Sequence, residues 1–246
     1  MMRKLIGTAL ALWLGLGAAA LAECRLALVL ALDVSGSVSG TEYRLQLDGV
    51  ANALMNPEVS EAILAIPGAT VGLTVFEWSG PRFQRVLVDW SDLATAEDIL
   101  RVAATLRATK RSPTEPSTAI GNAMAFAAAS LLNGPRCDRE VIDISGDGKS
   151  NNGPNPRDVL LLPQVTINAL AIGGELIDPA ELRPVGLAEL TAYFRAYVLR
   201  GPQAFVETAI GFSAFQEAMV RKLKRELQIL AVSDAEPLRF APLSPQ

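Results

Sequence analysis

The stretch that most constrains this fold is LALVLALD, residues 26–33. It is apolar at odd and even positions alike, so it has no polar face, and it stops at an aspartate. A strand of this kind is buried on both sides, as happens when helices cover both faces of a parallel sheet. Parallel strands cannot be joined by a tight turn, so the chain must supply long crossovers between them.

The remaining segments supply those crossovers. Residues 40–55 predict a helix with Tyr43, Leu47, Val50 and Leu54 on one face. Residues 69–78 and 83–90 read as strands joined around Gly80-Pro81 in a hairpin. A threonine cap and an acidic first turn open a helix over 95–109, and a helix rich in small residues follows over 117–132. A strand over 140–145, a short helix over 155–164 and a strand over 165–174 come next. Residues 186–200 read as a helix running towards a short edge strand at 197–199. The helix over 211–230 carries Phe212, Phe215, Met219, Leu223, Leu227 and Leu230 on one stripe, and its RKLKRE run reads as a solvated face. The expected fold is α/β and doubly wound: a mainly parallel central sheet, helices on both faces and one antiparallel edge strand. One domain spans 23–232, with no internal repeat, followed by a loose proline-rich tail over 233–246.

Residues 1–22 read as a secretory signal peptide: a short basic start, an apolar run, and a small-x-small end at Ala20-Leu21-Ala22. The same length would also serve as an uncleaved anchor. Glu23 ahead of Cys24 argues against a lipid-attachment signal. The mature protein is then secreted or periplasmic, with no membrane attachment. The net charge of −4 disfavours a nucleic-acid surface, which needs a basic face. In an oxidising compartment the two cysteines, Cys24 and Cys137, suggest a disulfide.

In parallel α/β folds, ligands sit beyond the carboxyl ends of the strands. Those ends are rich in oxygen here. Asp33, Ser35 and Ser37 follow the first strand, Thr118 stands near a helix start, and Asp147 follows the strand over 140–145. Each alone reads as a turn former or a helix cap. Together they form a hard-cation site. One Mg²⁺, Mn²⁺ or Ca²⁺ ion would be held by three hydroxyls, with the two aspartates ligating or orienting waters. A site with so few direct anionic ligands keeps the metal electrophilic. Two rival motifs weaken on inspection. Gly36-Ser37-Val38-Ser39-Gly40 comes close to a nucleophile elbow with Ser39 as nucleophile, but Val38 stands at the motif's central position and the chain contains no histidine to act as base, which leaves only a Ser-Lys variant with Lys149. The GDGKS run lacks the first glycine of a phosphate loop, Asp143 standing in its place.

The set Asp33-x-Ser35-x-Ser37, Thr118-x-x-Gly121 and Asp147-Gly148 resembles the metal-ion-dependent adhesion site of von Willebrand factor A-type domains, over about residues 26–230. REVIDISGDGKSNNG, the cysteine pair, the leader and KLKRE look like a family of secreted bacterial proteins with this domain and no assigned function. The resemblance implies a cation-dependent protein-binding module, not an enzyme, whose metal receives an acidic side chain from a protein partner. It also implies that the first and fourth long strands are parallel neighbours. Cys24 and Cys137 would then lie side by side at the edge opposite the two aspartates, within disulfide reach. From their place just after the second strand, Glu77 and Trp78 read as shaping the rim, with Trp78 alternatively a half-buried packing residue, and Lys149 and Asn151 read as facing a partner or solvent. Two other readings stay open: an envelope-assembly module that ignores the metal, and a hydrolase using the metal as a Lewis acid.

Overall fold

The computed structural model describes residues 23–174 and 186–233. The leader assigned to 1–22, and all but the first residue of the tail assigned to 233–246, lie outside them. The elements run β1 (Glu23–Asp33), α1 (Gly40–Leu54), α2 (Pro57–Leu64), β2 (Ala69–Trp78), β3 (Gln84–Leu93), α3 (Ala96–Ala108), α4 (Ile120–Leu132), β4 (Glu140–Gly146), β5 (Thr166–Gly173), α5 (Leu187–Tyr197), β6 (Val206–Ile210) and α6 (Phe215–Ser233). The described strands form one sheet in the order β3-β2-β1-β4-β5-β6. Only the β2–β3 pairing is antiparallel.

β1 lies in the middle of this sheet, which is why its sequence has no polar face. Leu26, Leu28, Leu30 and Leu32 join one core with the buried faces of α1, α2, α3 and α6. The alternate residues Ala27, Val29 and Ala31 join a second core with α4 and α5. Side-chain caps open three of the described helices. Ser39 caps α1 in a reciprocal box with Glu42, Thr95 does the same for α3 with Asp98, and Asn56 caps α2 ahead of Pro57.

Four expectations need correction. The helix over 155–164 is a single 3-10 turn at Pro156–Asp158, although the Asn155 cap and Pro156 are in place. After β4 the chain must return to the far edge of the sheet before β5 begins. Pro163 lies inside the expected helix: it lacks the N–H that would bond back to Val159 and disfavours helical backbone at Leu162, so the return runs as an extended path. The edge strand is β6, not residues 197–199; only Arg200 forms an isolated bridge, with Ile167. The sequence reading also passed over α2. Finally, the RKLKRE run is not a solvated face. Arg221 and Arg225 are exposed, but Lys222 and Glu226 are fully buried. The helical period explains this, since Phe215, Ala218, Met219, Lys222, Leu223, Glu226 and Leu227 share the inner stripe.

Cys24 and Cys137 are joined by a disulfide, with Cα atoms 4.5 Å apart, at the end of the sheet opposite Asp33. Among the described residues no helix is long and apolar enough to cross a membrane.

Candidate metal site at the carboxyl edge of the sheet

The chain turns sharply after β1. The backbone N–H of Ser35 donates to Asp33 Oδ1 at 2.8 Å, and Gln46 Nε2 from α1 donates to the Asp33 carbonyl at 2.9 Å. These bonds aim the loop back over the sheet edge. Ser35 Oγ and Ser37 Oγ lie 3.3 Å apart, and Ser37 Oγ donates to Asp147 Oδ1 at 2.7 Å. The ends of β1 and β4 are thereby linked directly.

Thr118 arrives on the loop between α3 and α4. That loop is held against the β1 turn by Gly36 N–H donating to Pro116 O at 3.0 Å and by Thr114 Oγ1 donating to Val34 O at 3.1 Å. A Cβ on Gly36 would stand 3.0 Å from the same Pro116 oxygen, so a side chain there would push the two loops apart. Asn151 fixes Thr118 from the other side. Its Oδ1 accepts from Thr118 N–H, and its own N–H donates to Thr118 O, both at 2.9 Å. A Cβ on Gly148 would lie 3.7 Å from Thr118 Oγ1, which puts Thr118 beside the Asp147-Gly148 turn. The structure therefore brings Asp33, Ser35, Ser37, Thr118 and Asp147 to one place. Asn151 is a positioning residue, where the sequence suggested only a partner contact or a solvated loop.

Asp33 is the electrostatic centre of this cluster. Its Oδ2 is buried and has no hydrogen-bond partner among the described residues. A Cβ on Gly146 would stand 3.1 Å from it. Burial, and secondly the charge of Asp147, pushes the Asp33 carboxyl up to about 8, although Ser35 opposes the shift. Burial also raises Asp147, with Glu42 adding repulsion and the Ser37 hydroxyl working against it. Cations on neighbouring segments are engaged elsewhere: Arg85 with Glu77 and Lys149 with Glu189. Among the described residues no three His, Cys, Asp or Glu side chains cluster, so this donor set is two carboxylates fringed by hydroxyls.

Glu77 and Trp78 are not rim residues, since both are fully buried. Glu77 accepts from Tyr43 Oη at 2.9 Å and pairs with Arg85 Nε at 2.8 Å. Arg85 in turn holds the Thr118 loop through Ser112 Oγ and the Lys110 carbonyl. Ser39, the elbow serine, spends its Oγ as the cap of α1, accepting from Glu42 N–H at 3.2 Å.

This strand order is that of the von Willebrand factor A-type fold, and solved structures agree. Proximal thread matrix protein 1 from the mussel byssus, solved with zinc in its MIDAS motif, is 17% identical with a TM-score of 0.53, over 84% of this chain and 48% of that one. The pilus adhesin SpaC from Lactobacillus rhamnosus GG, in its open conformation, is 14% identical with a TM-score of 0.56, over 84% of this chain and 30% of that one. A von Willebrand factor type A protein from Catenulispora acidiphila is 15% identical with a TM-score of 0.50, over 83% of this chain and 43% of that one. The chain thus spans less than half the length of each. It belongs to the family described as "Protein of unknown function (DUF1194)", whose model matches residues 23–231. No curated protein matches the sequence.

Proposed function

We propose that this domain is an exported, divalent-cation-dependent protein-binding module. Ser35, Ser37 and Thr118 hold one ion through their hydroxyls, and Asp33 and Asp147 ligate it or orient its waters. The observation that carries this reading is the buried, unpartnered Oδ2 of Asp33 beside a second carboxylate. Such a pair is costly to bury alone and is relieved by a cation. Hydroxyl and carboxylate oxygens suit Mg²⁺, Mn²⁺ or Ca²⁺. The zinc-occupied motif of the byssus protein supports a divalent ion as the class. When bound, the ion supplies an electrophilic position that accepts a carboxylate from a protein partner. Binding rather than catalysis is favoured by the chain's lack of histidine and by the use of Ser39 as a helix cap. The leader at 1–22 and the disulfide support export.

The test is calorimetric titration of Mg²⁺, Mn²⁺ and Zn²⁺ into chelator-treated protein, beside an Asp33→Ala/Ser35→Ala variant. One-to-one binding that the variant loses is expected. If the folded wild type gives neither heat nor a thermal shift at millimolar metal, the reading falls and an assembly role independent of metal takes its place.

A further inference from the structure

Three ionisable side chains sit deep in the protein, away from the carboxyl edge. Asp143 lies within β4 on the side facing α6, while Lys222 and Glu226 stand one turn apart on α6. Their relative exposures are 1%, 0% and 0% respectively. Lys222 Nζ makes a direct ion pair with Asp143 Oδ1 and lies 2.8 Å from Glu226 Oε1. Asn168, the β5 neighbour of Asp143, donates from Nδ2 to Glu226 Oε1 at 2.6 Å and accepts the Phe205 N–H at 3.1 Å. Among the described residues, neither Asp143 oxygen has a hydrogen-bond donor apart from Lys222, and Glu226 Oε2 has none. The Phe205 ring centre is 5.2 Å from Nζ, and Leu30 of β1 pairs beside Asp143. Arg139 donates to the Glu226 backbone carbonyl and not to its carboxylate.

As an ionic cluster this arrangement is poorly balanced. Two buried carboxylates share one ammonium, and three of their four oxygens are left without a full complement of donors. As a reactive cluster it is complete. An amine touches a carboxyl group, a second carboxylate is within reach of the amine, and the fold holds all three in register. We propose that Lys222 and Asp143 condense to an intramolecular isopeptide bond, with Glu226 as the catalytic proton carrier.

The atoms balance within the trio. The ion pair first passes one proton from Nζ to Asp143, giving a neutral amine and a neutral carboxylic acid. Burial favours the neutral amine. The Nζ lone pair attacks Cγ, and the carbonyl π pair moves onto oxygen. Glu226 takes a proton from the nitrogen and delivers it to the hydroxyl, which leaves as water as the carbonyl re-forms. The products are one amide, one water and an unchanged Glu226, with no oxidant or other reactant. The two opposite charges disappear, and the new amide N–H can donate to Glu226. The bond would fasten α6 to the middle of β4.

Intact-mass spectrometry of the folded, disulfide-reduced protein, with its N-terminus mapped, tests this directly. The expected mass is one water below that of the sequence. A digest should yield a branched peptide joining the segments around Asp143 and Lys222. Because the Asp147-Gly148 pair can also lose water as a cyclic imide, the branched peptide decides. Glu226→Gln keeps both reacting groups and should restore the full mass, as should Asp143→Ala. Full sequence mass in the folded wild type, with no branched peptide, overturns the proposal. A deficit of one ammonia with a branch at Asn168, or a branch that survives in Asp143→Ala, overturns the assignment to Asp143.

Discussion

Removing the disulfide by a Cys24→Ser/Cys137→Ser double change tests how the far edge of the sheet is held. The bridge joins residues 113 positions apart, at the starts of two neighbouring strands. For a loop of that length the chain-entropy relation gives about 16 cal/mol/K, or about 5 kcal/mol at room temperature. At about 2.1 cal/mol/K of unfolding entropy per residue, a domain of this size should lose about 10 °C in Tm. Differential scanning calorimetry of the two proteins measures the shift. The perturbed edge stands about nine residues, or about 30 Å, from Asp33, so metal affinity should not change. A shift below about 3 °C would refute the entropic reasoning. It would mean that local bonds such as Glu23 N–H to Gly68 O and Asp138 N–H to Cys24 O already restrain this edge.

Two further outcomes follow from the site. Gly121→Ala places a Cβ 2.2 Å from the Pro154 backbone oxygen. Backbone must move, at a cost of about 2–3 kcal/mol, and because Asn151 lies on the same loop, thermal melting and metal titration should both deteriorate. In chelator-treated protein the folded state keeps the Asp33 proton up to about 8, against an ordinary value of 3.8. The folded state therefore binds the extra proton between those values, and stability falls as pH rises through that window. Tm should drop from about pH 5 towards pH 8, and excess Mg²⁺ should flatten the profile; a flat profile without metal refutes the account.

Much of this was legible because it depends on repeating geometry. The uniformly apolar run ending in Asp33 marks a parallel strand, and parallel strands present their ends at one edge, which brings the Asp147 turn after β4 to the same place. That logic placed Thr118 with them although it lies on a loop. What escaped notice depends on particular contacts. Glu77 reads as a rim residue from its place at a strand end; its burial rests on Arg85 and Tyr43, which no local pattern reveals. Lys222 and Glu226 were assigned to water by their charge, although helical spacing places them on the apolar stripe. β6 is five residues long and only partly covered, too short to stand out against the helix before it.

The central position of β1 also fixes an order of assembly. Its β2 side can pair across some forty-five residues, and β3 closes on β2 through a hairpin. Its β4 side has to wait for a segment more than a hundred residues further along. Long-range parallel pairing of this kind slows folding, because the loop must be closed before the contacts repay it. During that interval one edge of the most apolar strand stands open as a template for a foreign strand. For this architecture the hazardous period is biosynthesis rather than the mature state, and yield on refolding should be limited by concentration-dependent aggregation before β4 docks.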